Sequence, residues 1–372
     1  MSQAIALAHE GIALCSPNPH VGALVIDKKG NVVGRGSYTY DGLKHAEVLA
    51  LEEAGDRARG STLYINLEPC SHQGRTPPCA DAVIKAGIAR VVAAMSDPNP
   101  QVCGKGFEKL VNAGIAVGVG LMETEARKLN ESFAKYIRHR TPLVTLKAAM
   151  SLDGKIAPPP GSRAPTEVAD RAPSDWITGE AARQHVQELR HQSDAILAGI
   201  GTVLADNPLL TDRTGRPRRR PLLRVILDSH LRLPLDSEIV RSANNDVLVF
   251  CCEADEKKRQ QFESRGVRLE QITAYAGRPD LHAVLARLGE LEITSLLIEG
   301  GSHVNAATFA AGIADKIFLY YAPKLLGADA IPFAASSASP RRTDALQLHC
   351  LTLHRFADDF AVEAYIKDPY TD

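Results

Sequence analysis

The chain has 372 residues, more than one ordinary domain needs and enough for two of about 150 to 200 residues each. Its 43 basic and 44 acidic residues leave a net charge of −1, which gives no electrostatic case for nucleic acid or an anionic membrane as partner. Hydrophobic residues at 45% and charged residues at 23% are ordinary for a soluble globular protein, and no run approaches the roughly 20 apolar residues of a membrane span.

Residues 1–14 lack the basic segment and unbroken apolar core of a secretory signal, so the expected compartment is the cytoplasm. Ile5, Ala8 and Ile12 predict a helix packed on the first domain. Residues 21–26 and 32–36 are β-rich apolar runs around Asp27-Lys28-Lys29-Gly30-Asn31, the pattern of a hairpin. His45 then opens a helix to about residue 54, and 61–67 read as a strand, 79–86 as a helix and 90–94 as a strand. That alternation implies a sheet covered by helices. A helix over 124–138 ends at Arg138-His139-Arg140-Thr141-Pro142, which reads as a boundary between domains of 1–140 and 141–372. In the second domain, strands are expected at 144–150, 195–200, 222–227, 246–251 and 295–298, with helices over 180–192 and from about Val304. No Gly-x-Gly-x-x-Gly occurs, so a Rossmann cofactor domain is not supported.

The chemistry concentrates in residues 45–79. His45, Cys70 and Cys79 offer one imidazole and two thiolates, a donor set that suits tetrahedral zinc and leaves the fourth position for water. Glu47 stands two places after the histidine, where a zinc deaminase keeps the glutamate that shuttles protons without binding metal. Zinc lowers the pKa of its water to roughly 7, so the expected reaction is hydrolytic deamination of a ring with Glu47 as catalytic acid and base. Eight residues separate the cysteines, a departure from Pro-Cys-x-x-Cys, but Gly74 and Pro77-Pro78 can turn a stiff loop that still delivers both thiolates. Ligands at helix starts also gain from the partly positive N-terminus. The remaining cysteines, Cys15, Cys103, Cys251, Cys252 and Cys350, leave an odd total of seven and read as reduced, mostly buried thiols.

The run from Glu68 to Cys79, Glu-Pro-Cys-Ser-His-Gln-Gly-Arg-Thr-Pro-Pro-Cys, closely resembles the zinc loop of the bifunctional riboflavin-biosynthesis deaminase-reductase family. The resemblance continues through Asn18-Pro19, Asp97-Pro98-Asn99-Pro100 with Gly104-Lys105-Gly106, and Lys147 with Ser151-Leu152-Asp153-Gly154-Lys155. It extends to Asp175-Trp176-Ile177-Thr178, Gly201-Thr202 with Asp206-Asn207-Pro208, and Glu299-Gly300-Gly301. It implies an α/β fold with an N-terminal cytidine-deaminase-like domain and a C-terminal dihydrofolate-reductase-like domain. The first would deaminate the diamino-ribosylaminopyrimidinone phosphate derived from GTP. The second would use NADPH to reduce the ribosyl group to ribityl. The expected partner is thus a small phosphorylated pyrimidine, and the chain is expected to form at least a homodimer.

The same resemblance assigns site residues. Asn18, His72 and Arg75 would meet the substrate in the deaminase half, and Ser174, Arg190, Leu210, Arg213 and Glu299 would hold it in the reductase half. Trp176, Thr202, Asp206 and Ser229 would line the NADPH site, with Gly301, Ser302, His303, Val304, Asn305, Ala306 and Ala307 around the phosphates. Without the resemblance, Gly300-Gly301 reads as a tight strand-to-helix turn and Asn18-Pro19 as a plain turn. A guanidinium pairs bidentately with phosphate, which suits Arg190 and Arg213.

Three departures from the family stand out: Tyr38 in place of a histidine, Lys44 in place of a proline, and a longer segment over 158–173 that reads as an exposed loop. That segment motivates an alternative in which the protein only deaminates and its C-terminal half binds without catalysis. A further alternative makes the zinc structural and the protein a ligand-binding module. The basic run 216–221 is short and proline-flanked, and reads as a solvated loop.

Overall fold

The computed structural model describes residues 1–73, 77–159, 176–335 and 345–371. Its contacts divide the chain into Met1–Arg140 with Pro217–Arg220, and Thr141–Arg216 with Pro221–Thr371.

The first unit runs α1 (Ser2–His9), β1 (Gly22–Ile26), β2 (Val32–Ser37), α2 (Ala46–Ala54), β3 (Thr62–Ile65), α3 (Cys79–Lys85), β4 (Arg90–Ala93), α4 (Lys105–Asn112), β5 (Ala116–Val119) and α5 (Glu123–His139). Its sheet has the order β2-β1-β3-β4-β5, with β1 antiparallel to β2 and β3 and the last three strands parallel. The hairpin between β1 and β2 forms because Asp27 accepts the amides of Lys29 and Asn31 while Gly30 takes a φ of 87°. The expected helix over 1–14 stops at His9, so Ile12 lies beyond it. There Gly11 accepts the amides of Leu14 and Cys15 in turns, and a Cβ on it would lie 2.4 Å from Cys15 Sγ.

The contact that positions the chemistry is between β2 and α2. A Cβ on Gly36 would lie 1.9 Å from Ala46 O, and one on Gly34 2.0 Å from Ala50 O, so only glycine lets the helix lie this close to the strand. Ala46, Ala50 and Ala54 complete the fit and join Val25, Leu63, Ile65 and Val91 in one buried core. The basic run departs from the solvated loop expected of it. Arg219 donates from Nη1 to Ser16 O at 2.7 Å, and its guanidinium lies 3.5 Å over the Tyr40 ring.

The second unit is built on a larger sheet with the order Val267–Gln271, Val247–Cys251, Leu223–Leu227, Ala195–Gly199, Ser295–Ile298, Leu143–Ser151, Lys316–Ala322, Asp359–Tyr365 and His349–Phe356. The strands are parallel as far as Lys316–Ala322, and the last two are antiparallel. Buried aliphatic side chains cover both faces, as a parallel sheet requires: Leu146, Leu197, Val225 and Ile298 on one side, Ile196, Ala198, Ile226 and Val249 on the other. Ala195–Gly199 and Ser295–Ile298 are neighbours, so the helices that follow them, Ile200–Asp206 and Ser302–Ala310, start from the same edge of the sheet. In open α/β sheets that edge, outside the strand carboxyl ends, is where ligands bind. The second helix begins at Ser302 rather than Val304, because Gly301 is already extended and acts as its N-cap. No helix among the described residues is long and apolar enough to cross a membrane.

Candidate functional site

His45, Cys70 and Cys79 come together in the first unit, with one ligand atom from each lying within 4.8 Å of the others. His45 is the N-cap of α2 and Cys79 the first residue of α3, so two helix N-termini face the trio. His45 Nδ1 is 3.0 Å from Cys79 Sγ and 3.7 Å from Cys70 Sγ, and the Cys79 amide donates to Cys70 Sγ at 3.3 Å. Cys70 is drawn down to about 4 by the hydrogen bond from Cys79, against burial and with help from His45, while the same bond, burial and Glu47 push Cys79 upward. This nitrogen and sulfur donor set fits zinc, which would displace the remaining proton and hold both sulfurs as thiolates.

His45 and Cys70 of the trio face a cavity of about 270 Å³ that is also lined by Asn18, Tyr38, Glu47, His72, Asp97 and Asn99. Glu47 is only 3% exposed and its Oε2 has no hydrogen-bond partner. Burial pushes its carboxyl above the ordinary carboxylate range, against the pull of His45. A buried acid with an unmatched oxygen beside a metal-type trio is equipped to hold and pass a proton. Asn18 Nδ2 donates to the Tyr38 hydroxyl at 2.6 Å, so the tyrosine that departs from the family pattern orients the residue expected to read the ring. Asp97 is pushed up to about 6, chiefly by burial. Sequence reasoning left Glu68, Asp97 and Asn99 out of the site, although all three lie in motifs that carry the family resemblance. Arg75 lies outside the described residues.

In the second unit Glu299, 11% exposed, is held by two cations. Arg190 Nε donates to Oε1 at 2.7 Å and Nη2 to Oε2 at 3.1 Å, and Lys147 Nζ donates to Oε2 at 3.2 Å. Arg190 also donates to Thr211 O at 3.0 Å, tying the strand end to the loop that carries Arg213. Arg213 is exposed, whereas Leu210 is buried in the core at a φ of 53°, so its side chain packs rather than faces solvent.

Gly301 stands beside Thr202, since a Cβ on it would lie 3.5 Å from Thr202 Oγ1. A Cβ on the preceding Gly300 would lie 2.7 Å from Val304, which keeps the turn tight. Ser302 Oγ is buried without a partner at the helix start, where it can donate to an anionic group on a helix N-terminus, whereas Asn305 spends its Nδ2 on Phe333 O at 2.8 Å and leaves only the acceptor Oδ1 unpartnered. Within 301–307, His303 is exposed, while Val304 and Ala307 pack on the core. Trp176 is 39% exposed, with Arg183 5.2 Å from its ring and Lys324 donating to its carbonyl at 2.7 Å. Asp206 closes the Ile200–Asp206 helix, and Ser229 follows the strand Leu223–Leu227 and accepts the Cys252 amide. Ser174 lies outside the described residues, as does nearly all of the 158–173 segment. Of the other cysteines, Cys15 and Cys251 are buried, Cys252 half-buried, and Cys103 and Cys350 exposed, the last two against expectation.

Two family models match the chain: the cytidine and deoxycytidylate deaminase zinc-binding region over residues 1–95, and the RibD C-terminal domain over residues 142–362. The chain is 42% identical over 327 residues to the riboflavin biosynthesis protein RibD of Aquifex aeolicus, covering 88% of this chain and 87% of that one. It is 40% identical over 370 residues to the protein of the same name from Bacillus amyloliquefaciens, covering 99% and 96%. Among solved structures it is similar to Acinetobacter baumannii RibD, with a TM-score of 0.84 at 37% identity over 98% of this chain and 97% of that one. It is likewise similar to a diaminohydroxyphosphoribosylaminopyrimidine deaminase/5-amino-6-(5-phosphoribosylamino)uracil reductase from Thermotoga maritima, with a TM-score of 0.81 at 36% identity and the same coverage.

Proposed function

The chain belongs to the RibD family, bifunctional deaminase-reductases of riboflavin biosynthesis, and on that premise we propose the following division of labour. Residues 1–140 deaminate the diamino-ribosylaminopyrimidinone phosphate, and residues 141–372 reduce the ribosyl group of the deaminated product to ribityl with NADPH. The observation that carries the reading is the His45, Cys70 and Cys79 trio within 4.8 Å, of which His45 and Cys70 share a cavity with Glu47, whose Oε2 is unpartnered.

Zinc held by the trio supplies Lewis acidity that makes water nucleophilic near neutral pH. Glu47 takes the proton from the attacking water at its free oxygen and returns it to the departing amine. Asn18, with its amide nitrogen committed to Tyr38, accepts from the ring through Oδ1, while His72 and Arg75 meet the far side of the substrate. In the reductase half bound NADPH would supply the hydride needed at the first sugar carbon. The Ser302–Ala310 start, Thr202, Asp206, Ser229 and Trp176 hold the cofactor. Glu299, kept ionised by Arg190 and Lys147, accepts from sugar hydroxyls rather than giving up a proton, and Arg213 with Ser174 completes the substrate site, Leu210 taking part through its backbone alone.

The protein is proposed to be cytoplasmic and a homo-oligomer, a dimer or tetramer. Leu351 and Leu353, 57% and 67% exposed on the edge strand His349–Phe356, support self-association through the reductase half. Mass spectrometry of products formed from the pathway pyrimidine phosphate, with and without NADPH, tests the division. Deamination without cofactor and a further gain of two hydrogens with it is the expected result. Deamination without reduction would leave the C-terminal half a binding domain, and unchanged substrate would refute the proposal.

A further inference from the structure

Glu68 is 5% exposed, two residues before Cys70, and its carboxylate accepts four backbone amides from a distant segment. Oε2 accepts from Asp97 at 3.0 Å and Gly104 at 2.9 Å, and Oε1 from Gly106 at 2.8 Å and Phe107 at 3.4 Å. The reason lies in α4. Its N-cap is Gly104, at a φ of 81° and with no side chain to offer, so the first-turn amides have no local acceptor. Glu68 caps the helix from outside, and a carboxylate at that end is further favoured by the helix dipole. Gly106 admits the approach, because a Cβ there would lie 2.0 Å from Pro69 O.

The capped segment also forms part of the deaminase cavity. Asp97 and Asn99 line it together with Cys70 and Glu47. Their turn continues from the Glu68 anchor: the Asn99 amide donates to Asp97 Oδ1 at 2.8 Å and the Gln101 amide to Asn99 Oδ1 at 3.0 Å. One side chain therefore joins the loop that carries a metal ligand to the opposite stretch of cavity wall. A buried carboxylate with four amide donors is a stiff link, since losing it would strand the buried Gly106 amide and leave three part-buried amides without their acceptor.

We propose that Glu68 is a positioning residue for deamination. It sets the separation between Cys70 and the Asp97 to Asn99 wall, and so how tightly the pyrimidine phosphate is held, while taking no part in metal binding or proton transfer. The inference rests on the assignment of this cavity to deamination.

The test compares wild type with Glu68→Gln and Glu68→Asp in the full zinc-loaded chain. Glutamine keeps one acceptor and turns an NH2 toward two amide donors; aspartate keeps both acceptors but is one methylene short. Zinc content and NADPH-dependent reduction are expected to match wild type in both variants. In E68Q the KM for the pyrimidine phosphate rises at least about tenfold with kcat within about threefold, and E68D falls between E68Q and wild type. Backbone hydrogen exchange at residues 97, 104, 106 and 107 rises in E68Q, a readout that needs no turnover. An unchanged KM in a zinc-replete E68Q overturns the inference. If E68Q fails to hold zinc, E68D decides: a raised KM supports the proposal and a wild-type KM overturns it. A wild-type chain that does not deaminate would instead refute the assignment of the cavity, and the inference with it.

Discussion

Arg190 grips Glu299 as a fork, Nε to Oε1 at 2.7 Å and Nη2 to Oε2 at 3.1 Å, with Lys147 closing on the same carboxylate. Lysine at 190 would keep the charge but lose the two-point geometry. Arg190→Lys is therefore expected to lower kcat/KM for NADPH-dependent reduction by at least about tenfold while leaving deamination measured without NADPH unchanged. Equal reductase kinetics would show that the fork is not needed.

The same cluster predicts an acid limit for the reductase half. Burial alone raises the Glu299 carboxyl, but the attraction of Arg190 and Lys147 outweighs it and brings the group to about 2. A carboxyl lowered from an unfolded value of about 4.3 binds fewer protons folded than unfolded across that interval, so stability rises with pH there. The contribution is fully present above about pH 4.3 and is lost as pH falls toward the folded value. Chemical unfolding at a series of pH values should show this slope in wild type and a flatter one in Glu299→Gln. Identical slopes would contradict the assignment.

Metal removal should separate the two activities. A chelator is expected to abolish deamination, spare reduction, and add a fast-reacting thiol to those of the exposed Cys103 and Cys350, because the half-buried Cys70 loses its metal. Thiol titration alongside both assays checks this. Loss of both activities, or an unchanged thiol count, would argue against zinc on this cysteine pair.

Gly36 tests the route from fold to site. A methyl group there meets Ala46 O at 1.9 Å, so α2 must move and carry His45 and Glu47 with it. Overpacking of this kind costs about 1 to 3 kcal/mol. Gly36→Ala should unfold the deaminase half at lower temperature and weaken zinc retention, with reduction unaffected. Wild-type zinc affinity would mean that the helix is not held by this contact.

How much could be read in advance follows from these same residues. The metal trio and Glu47 were legible because each residue type has few other reasons to occur in that order, and α2 begins where the motif predicts. The helix after Gly301 and the end of α1 were misplaced by a few residues, since caps and turns at Gly301 and Gly11 decide them and apolar spacing does not. α4 and β5 went unread: Gly104 and Gly106 discourage a helix locally, and only the distant Glu68 carboxylate supplies its cap. The Arg219 stacking on Tyr40 was likewise invisible, because a cation run has the same sequence whether solvated or docked.

The central claim is that a metal trio and a separate proton carrier share one cavity. Glu47→Gln in the full chain, with zinc content, deamination and reduction measured on one preparation, tests it most directly. The account predicts full zinc, wild-type reduction, and deamination lowered at least about a hundredfold, the lower end of what a positioned acid and base contributes. Deamination at the wild-type rate with zinc in place would contradict it.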